Sequence, residues 1–108
     1  MPSHQEIDQR SLALHKLVAD KVRADGRLLG QARDTLTRWY GVASPRSFTY
    51  LDEWQRLFDL GTEACLTAAT EDTERAAALR QCSPLSCLLT NQERFAFLKR
   101  WKCEHAAQ

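Results

Sequence analysis

The chain has 108 residues, enough for one domain and too few for a large active-site cavity with its own supporting shell. Its 44% hydrophobic and 27% charged content excludes wholesale disorder. A net charge of +1 excludes strong nonspecific attraction to nucleic acid.

The charge is unevenly spread. Residues 1–47 hold eight Lys/Arg against five Asp/Glu, residues 48–90 hold three against seven, and residues 91–108 hold four against two. The acidic middle fits either a solvated face or a surface that meets a basic partner. No apolar run approaches a membrane span. The opening MPSHQEIDQRS lacks the basic-then-apolar layout of a secretory signal. The expectation is a cytoplasmic protein with reduced thiols. Cys65, Cys82, Cys87 and Cys103 then read as free cysteines packed as small apolar residues. Their spacing lacks the C-x-x-C pairs of zinc knuckles, so no metal site is expected.

The first predicted helix covers 6–24. Ile7, Ser11, Leu14, Val18 and Val22 recur at spacings of three and four and share one face, with Leu17 widening it. Asp25-Gly26 ends it, Gly26 being suited to a left-handed position. A second helix covers 27–40 with Leu29, Ala32, Leu36 and Trp39 or Tyr40 as its stripe, closed by Gly41. The tight turn between them predicts an antiparallel helical hairpin.

VASPRSFT is the longest predicted loop, and Thr49 is the candidate cap of a third helix. Leu51, Trp54, Leu57 and Phe58 line that helix, and Leu60-Gly61 ends it. Thr62 is placed as the cap of a short fourth helix. Thr70-Glu71-Asp72 supplies a hydroxyl and acids for a fifth helix, which ends near Gln81. Ser83-Pro84 then breaks the chain, because proline disfavours helical geometry in the residue before it. Leu85, Leu88 and Leu89 tuck against the core. Thr90-Asn91-Gln92-Glu93 fits a capping box for the last helix, with Phe95, Leu98 and Trp101 on its apolar face. Phe97 falls off that stripe and is a candidate exposed ring. No segment alternates as a strand does. The whole is an all-α single domain of five or six short helices over 1–108, with 1–5 and 105–108 frayed.

Catalytic chemistry is thin. His4 and His105 lie near the termini, and His15 at the edge of the first stripe reads as packed or solvated. There is no phosphate-binding glycine loop and no H-E-x-x-H or EF-hand pattern. Cys103-Glu104-His105 offers too few ligands for a metal. His15 and Cys87 are the best candidates if the chain is an enzyme. Arg23, Arg27, Arg33 and Arg38, with Lys99, Arg100 and Lys102, open a second reading as a small helical DNA-binding regulator on operator DNA. Asp20, Asp25 and Asp34 interrupt the first of these patches.

The stretch TEDTERAAALRQCSPLSCLLTNQER resembles a pattern in small bacterial proteins: an acidic pair, Glu-Arg, Leu-Arg-Gln, a Ser-Pro break, and a Thr-x-x-Glu-Arg helix start. The pieces IDQRSLALHKLVADKV, ARDTLTRWY and DEWQRLF are similar to the rest of that layout. These proteins look like the small antitoxin-like partners encoded beside AbiEii-type nucleotidyltransferase toxins. The resemblance implies a protein that binds its cognate toxin and blocks the toxin's active site, with no catalysis and no cofactor of its own. It carries partner-binding roles to Asp72, Glu74, Arg75, Arg80, Gln81, Ser83, Pro84 and Arg94, with Leu79 and Glu93 matching beside them.

Overall fold

Apolar residues three and four apart run along the first helix, α1 (His4–Ala24), and the part of that stripe from Leu14 to Val22 is buried while Ile7 stays exposed. The structure, a computed structural model, describes residues 4–105. Five further helices follow: α2 (Leu28–Tyr40), α3 (Phe48–Leu60), α4 (Thr62–Thr70), α5 (Glu74–Arg80) and α6 (Asn91–His105). Two 3₁₀ turns, Pro45–Ser47 and Pro84–Leu88, stand before α3 and α6. The described residues are all-α, with no strand. None of their helices is long and apolar enough to cross a membrane.

One core joins the elements. Trp54 and Phe58 of α3 lie fully buried among Val18 and Val22 of α1, Leu36 of α2, Leu66 of α4 and Leu85 of the second turn. The indole Nε1–H of Trp54 donates to the Leu79 carbonyl at 3.0 Å. That bond ties α3 to the last turn of α5, a helix too short to hold by propensity. The Pro84–Leu88 turn packs against both α1 and α2, and α1 also meets α4 and α5. A Ser-Pro break that reads as punctuation therefore contributes core: Pro84, Leu85, Leu88 and the following Leu89 are all buried. Ser83 opens the turn by accepting from the Leu85 amide at 3.2 Å.

Several local expectations need correction. Neither Gly26 nor Gly41 adopts a left-handed conformation; among the described residues Gly61 alone has positive φ, at 124°. Gly41 caps α2 with φ −76°, and its amide still finds the Arg38 carbonyl. Helix α3 begins at Phe48, so Thr49 lies inside it rather than capping it. Gly61, not Thr62, precedes α4. The hydroxyl that caps α5 belongs to Thr73, which accepts from the Ala76 amide at 3.1 Å, and not to Thr70. Thr70 instead bonds back to the Leu66 carbonyl at 2.7 Å. Cys87 and Cys103 are exposed, while Cys65 is buried and Cys82 half-buried, so only part of the thiol set serves as core. Gln5 and His105, expected to fray, are helical; the expected fraying at 1–3 and 106–108 lies outside the described residues.

The largest correction concerns α6. Phe97 is buried at 5% exposure and Phe95 stands out at 74%, the reverse of the apolar-stripe reading. The cause lies in the first turn of the helix. Thr90 and Glu93 form the capping box, with Thr90 N–H donating to Glu93 Oε1 at 2.8 Å and Glu93 N–H to Thr90 Oγ1 at 3.1 Å. Lys21 of α1 also reaches Glu93 Oε1, at 2.5 Å. Together they hold the Glu93 carboxyl down near about 2, the Lys21 contact first. Arg94 donates to the Ser86 carbonyl at 2.6 Å. Polar residues 93 and 94 thus face the domain, and the inward stripe continues at spacings of four through Phe97, Trp101 and His105. Phe97 and Trp101 stack at 6.2 Å between centroids, and Trp101 and His105 at 3.8 Å.

Candidate functional site

The residues singled out in the 72–94 stretch divide by burial. Asp72, Glu74, Arg75 and Gln81 are exposed, Arg94 is half-buried, and Arg80, Ser83 and Pro84 are buried. Arg80 reaches this position because α5 is short and ends against α4. Its Nη1 donates to the carbonyls of Ala69, at 3.2 Å, and Glu71, at 2.7 Å. The guanidinium thus satisfies the carbonyl end of α4 and the chain just after it, where positive charge also suits the dipole. Nη1 is thereby committed within the fold. Ser83 and Pro84 act within the fold, as the cap and first residue of the second turn. Arg75 pairs with Glu53 of α3. Glu53 also holds Arg56 at 2.6 Å, and these arginines, Arg56 first, keep the Glu53 carboxyl below its usual range.

Several shallow grooves border α5. The first, of about 370 Å³, lies between α3, α4 and α5 and is bordered by Glu53, Arg56, Glu63, Glu71 and Arg75. The second, of about 290 Å³, lies between α1 and α5. Gln5, Asp8, Gln9 and Leu12 form one stripe of α1 and face Asp72, Thr73, Glu74 and Arg80 across it. The third, also about 290 Å³, uses the neighbouring stripe of α1. Arg10, Ser11 and His15 meet Arg80, Ser86 and Arg94 there. Arg80 is shared by the second and third grooves, so it separates an acidic cleft from a basic one.

The structure therefore brings Asp72, Glu74 and Arg80 together, brings Arg80 and Arg94 together, and places Arg75 elsewhere. Reading the sequence missed Asp8, Arg10, Ser11 and Ser86. The α1 residues carry a faint signal, since 8 and 12 lie four apart, as do 11 and 15. Only the docking of α5 and α6 gives that spacing meaning.

His15 is 2% exposed, deeper than a helix-edge position implies. Its Nδ1 lies 2.8 Å from the Ser11 carbonyl, which only accepts, so Nδ1 carries the proton. Burial is the main cause of a pKa lowered to about 4; the Ser11 bond opposes the shift, and the charges of Arg80 and Arg94 add to it. The ring is neutral near pH 7. Burial likewise pushes the Arg80 guanidinium below its usual value, against the pull of Asp8 and Asp72. His15 Nε2 and Arg80 Nε are buried without a hydrogen-bond partner among the described residues.

Arg23, Arg27, Arg33 and Arg38 are engaged within the fold. Arg23 pairs with Glu63 at 3.4 Å and Arg27 with Asp25 at 3.0 Å. Arg33 reaches Asp59 at 3.5 Å, donates to the Phe58 carbonyl at 2.5 Å and covers the Phe58 ring. Arg38 donates to the Thr35 hydroxyl at 3.2 Å. Comparisons with protein-family models, with curated proteins and with solved structures return no match.

Proposed function

We propose that the chain is an antitoxin-like protein that binds a partner toxin of the nucleotidyltransferase type and blocks its active site. The observation that carries this reading is the acidic rim around α5. Asp72 and Glu74 share a groove with Asp8, and exposed Glu71 stands beside them. An enzyme that binds a nucleoside triphosphate presents cationic groups to the phosphates. Carboxylates on a docked rim meet those groups in place of the phosphates and steer the encounter by opposite charge. Gln81, exposed just after α5, supplies amide donors and an acceptor. The resemblance over 70–94 supports the partner class. The reading asks for no bond-making group on this chain.

Co-expression with an untagged nucleotidyltransferase toxin, followed by affinity purification and a growth-rescue assay, tests the proposal. The expected result is a stable complex and restored growth, both lost in Asp72→Lys/Glu74→Lys. Absence of a complex together with unrelieved toxicity would sink it. Regulation through operator DNA is the lesser reading, because Arg23, Arg27 and Arg33 are paired with Glu63, Asp25 and Asp59.

A further inference from the structure

We propose that the groove between α1, α6 and the Pro84–Leu88 turn is a binding site for one small tetrahedral oxyanion of the phosphate class. Three arginines converge on it, Arg10 from α1, Arg80 from α5 and Arg94 from α6, and no Asp or Glu lines it. Ser11 adds a hydroxyl, while the Ser86 hydroxyl donates to the Ser83 carbonyl at 2.8 Å. Asp8 and Asp72, which act on Arg80, line the neighbouring cleft instead.

Two of the lining side chains are buried with polar atoms unmatched: Nε of Arg80, a residue 5% exposed, and Nε2 of His15. A buried charged donor without an acceptor is costly, and native folds leave few of them. A phosphate or sulfate oxygen accepts from an arginine fork and leaves further oxygens for the other donors. The volume of about 290 Å³ accommodates an ion of that size, and Ile7, Leu14 and Leu98 form the apolar part of its lining.

His15 makes the site sensitive to acid. Its Nδ1–H is committed to Ser11, so the neutral ring offers Nε2 only as an acceptor. Arg80 and Arg94 repel a proton there while the groove is empty, and Arg10 stands at the same groove. A bound anion offsets those charges, and protonated Nε2 becomes a further donor to it. By linkage, oxyanion affinity rises as pH falls.

Sodium sulfate titrated into the whole protein and followed by NMR tests this, with sodium chloride at matched ionic strength as the reference. Sulfate keeps its charge between pH 5 and 7, so any pH dependence belongs to the protein. The expected result is saturable shifts at Ser11, Ser86 and Arg94 and in the His15 ring, with affinity several-fold higher at pH 5. Arg10→Gln, at an exposed position that leaves the core intact, and Arg94→Gln each weaken binding by about tenfold, the scale of one charge-assisted bond. His15→Asn, which keeps a donor for the Ser11 carbonyl, removes the pH dependence. Inorganic phosphate and methyl phosphate, compared at pH 7, separate the two sources of the ion. Equal binding supports a phosphomonoester ligand, and rejection of the ester supports the free ion. Shifts no larger than those in chloride, affinity indifferent to both arginine substitutions, or affinity independent of pH would each overturn the proposal.

Discussion

Lowering the pH from 7 to 5 destabilises this fold through His15. The unfolded imidazole takes up its proton near the ordinary value of 6.5, and the folded one only near about 4. Between those values the unfolded chain binds more protons, so acid favours it. Stability from this group is fully present above 6.5 and is lost as the pH falls toward 4. The full loss is about 3 kcal/mol at 1.36 kcal/mol per pH unit, and about 2 kcal/mol of it falls between pH 7 and 5. Glu93 adds little in this window, because the stability from its lowered carboxyl is lost only as the pH falls below its ordinary value of 4.5 toward about 2. Urea unfolding in chloride buffers at half-unit intervals measures the slope. Phosphate and sulfate are avoided, since an oxyanion in the groove would stabilise the protonated ring. His15→Asn keeps a donor for the Ser11 carbonyl and is expected to flatten the slope. A His15→Asn protein with the wild-type slope, or a native His15 resonance that titrates near 6.5, would refute the reasoning.

Three further outcomes follow from packing and capping. Phe97→Ala is expected to cost about 3 kcal/mol, and Phe95→Ala less than about 0.5 kcal/mol, in paired denaturation curves; equal losses would mean that α6 turns its other face inward. Thr90→Ala removes the hydroxyl that receives the Glu93 amide and should lower stability by about 1 kcal/mol, with loss of protection at the Glu93 amide in hydrogen exchange. Gly30→Ala and Gly61→Ala should move the melting temperature in opposite directions. Gly30 sits in α2 with open space around a new Cβ, so alanine stabilises by about 0.5 kcal/mol. Gly61 holds φ 124°, which strains any side chain that replaces its hydrogen.

Much of the framework is local and was legible in the chain. Spacings of three and four mark α1 to α3, Leu60-Gly61 marks a helix end, and Thr90 to Glu93 marks a helix start. Each depends on neighbours within one turn, where backbone sterics and nearby hydrogen bonds decide. Asp72 and Glu74 could likewise be picked out as acidic residues at the start of α5.

What needed the assembled fold is every feature set by a partner distant in sequence. Phe97 rather than Phe95 turns inward because Lys21, 72 residues from Glu93, grips the first turn of α6. Arg80 is buried because the end of α4 presents carbonyls to it, a fact no pattern around residue 80 contains. The acidic and basic grooves arise only when two adjacent stripes of α1 meet α5 on one side and α6 on the other. Periodicity reveals which residues share a face of one helix. Which other element covers that face depends on long-range packing, and there the charge, burial and protonation of His15, Arg80 and Arg94 were decided.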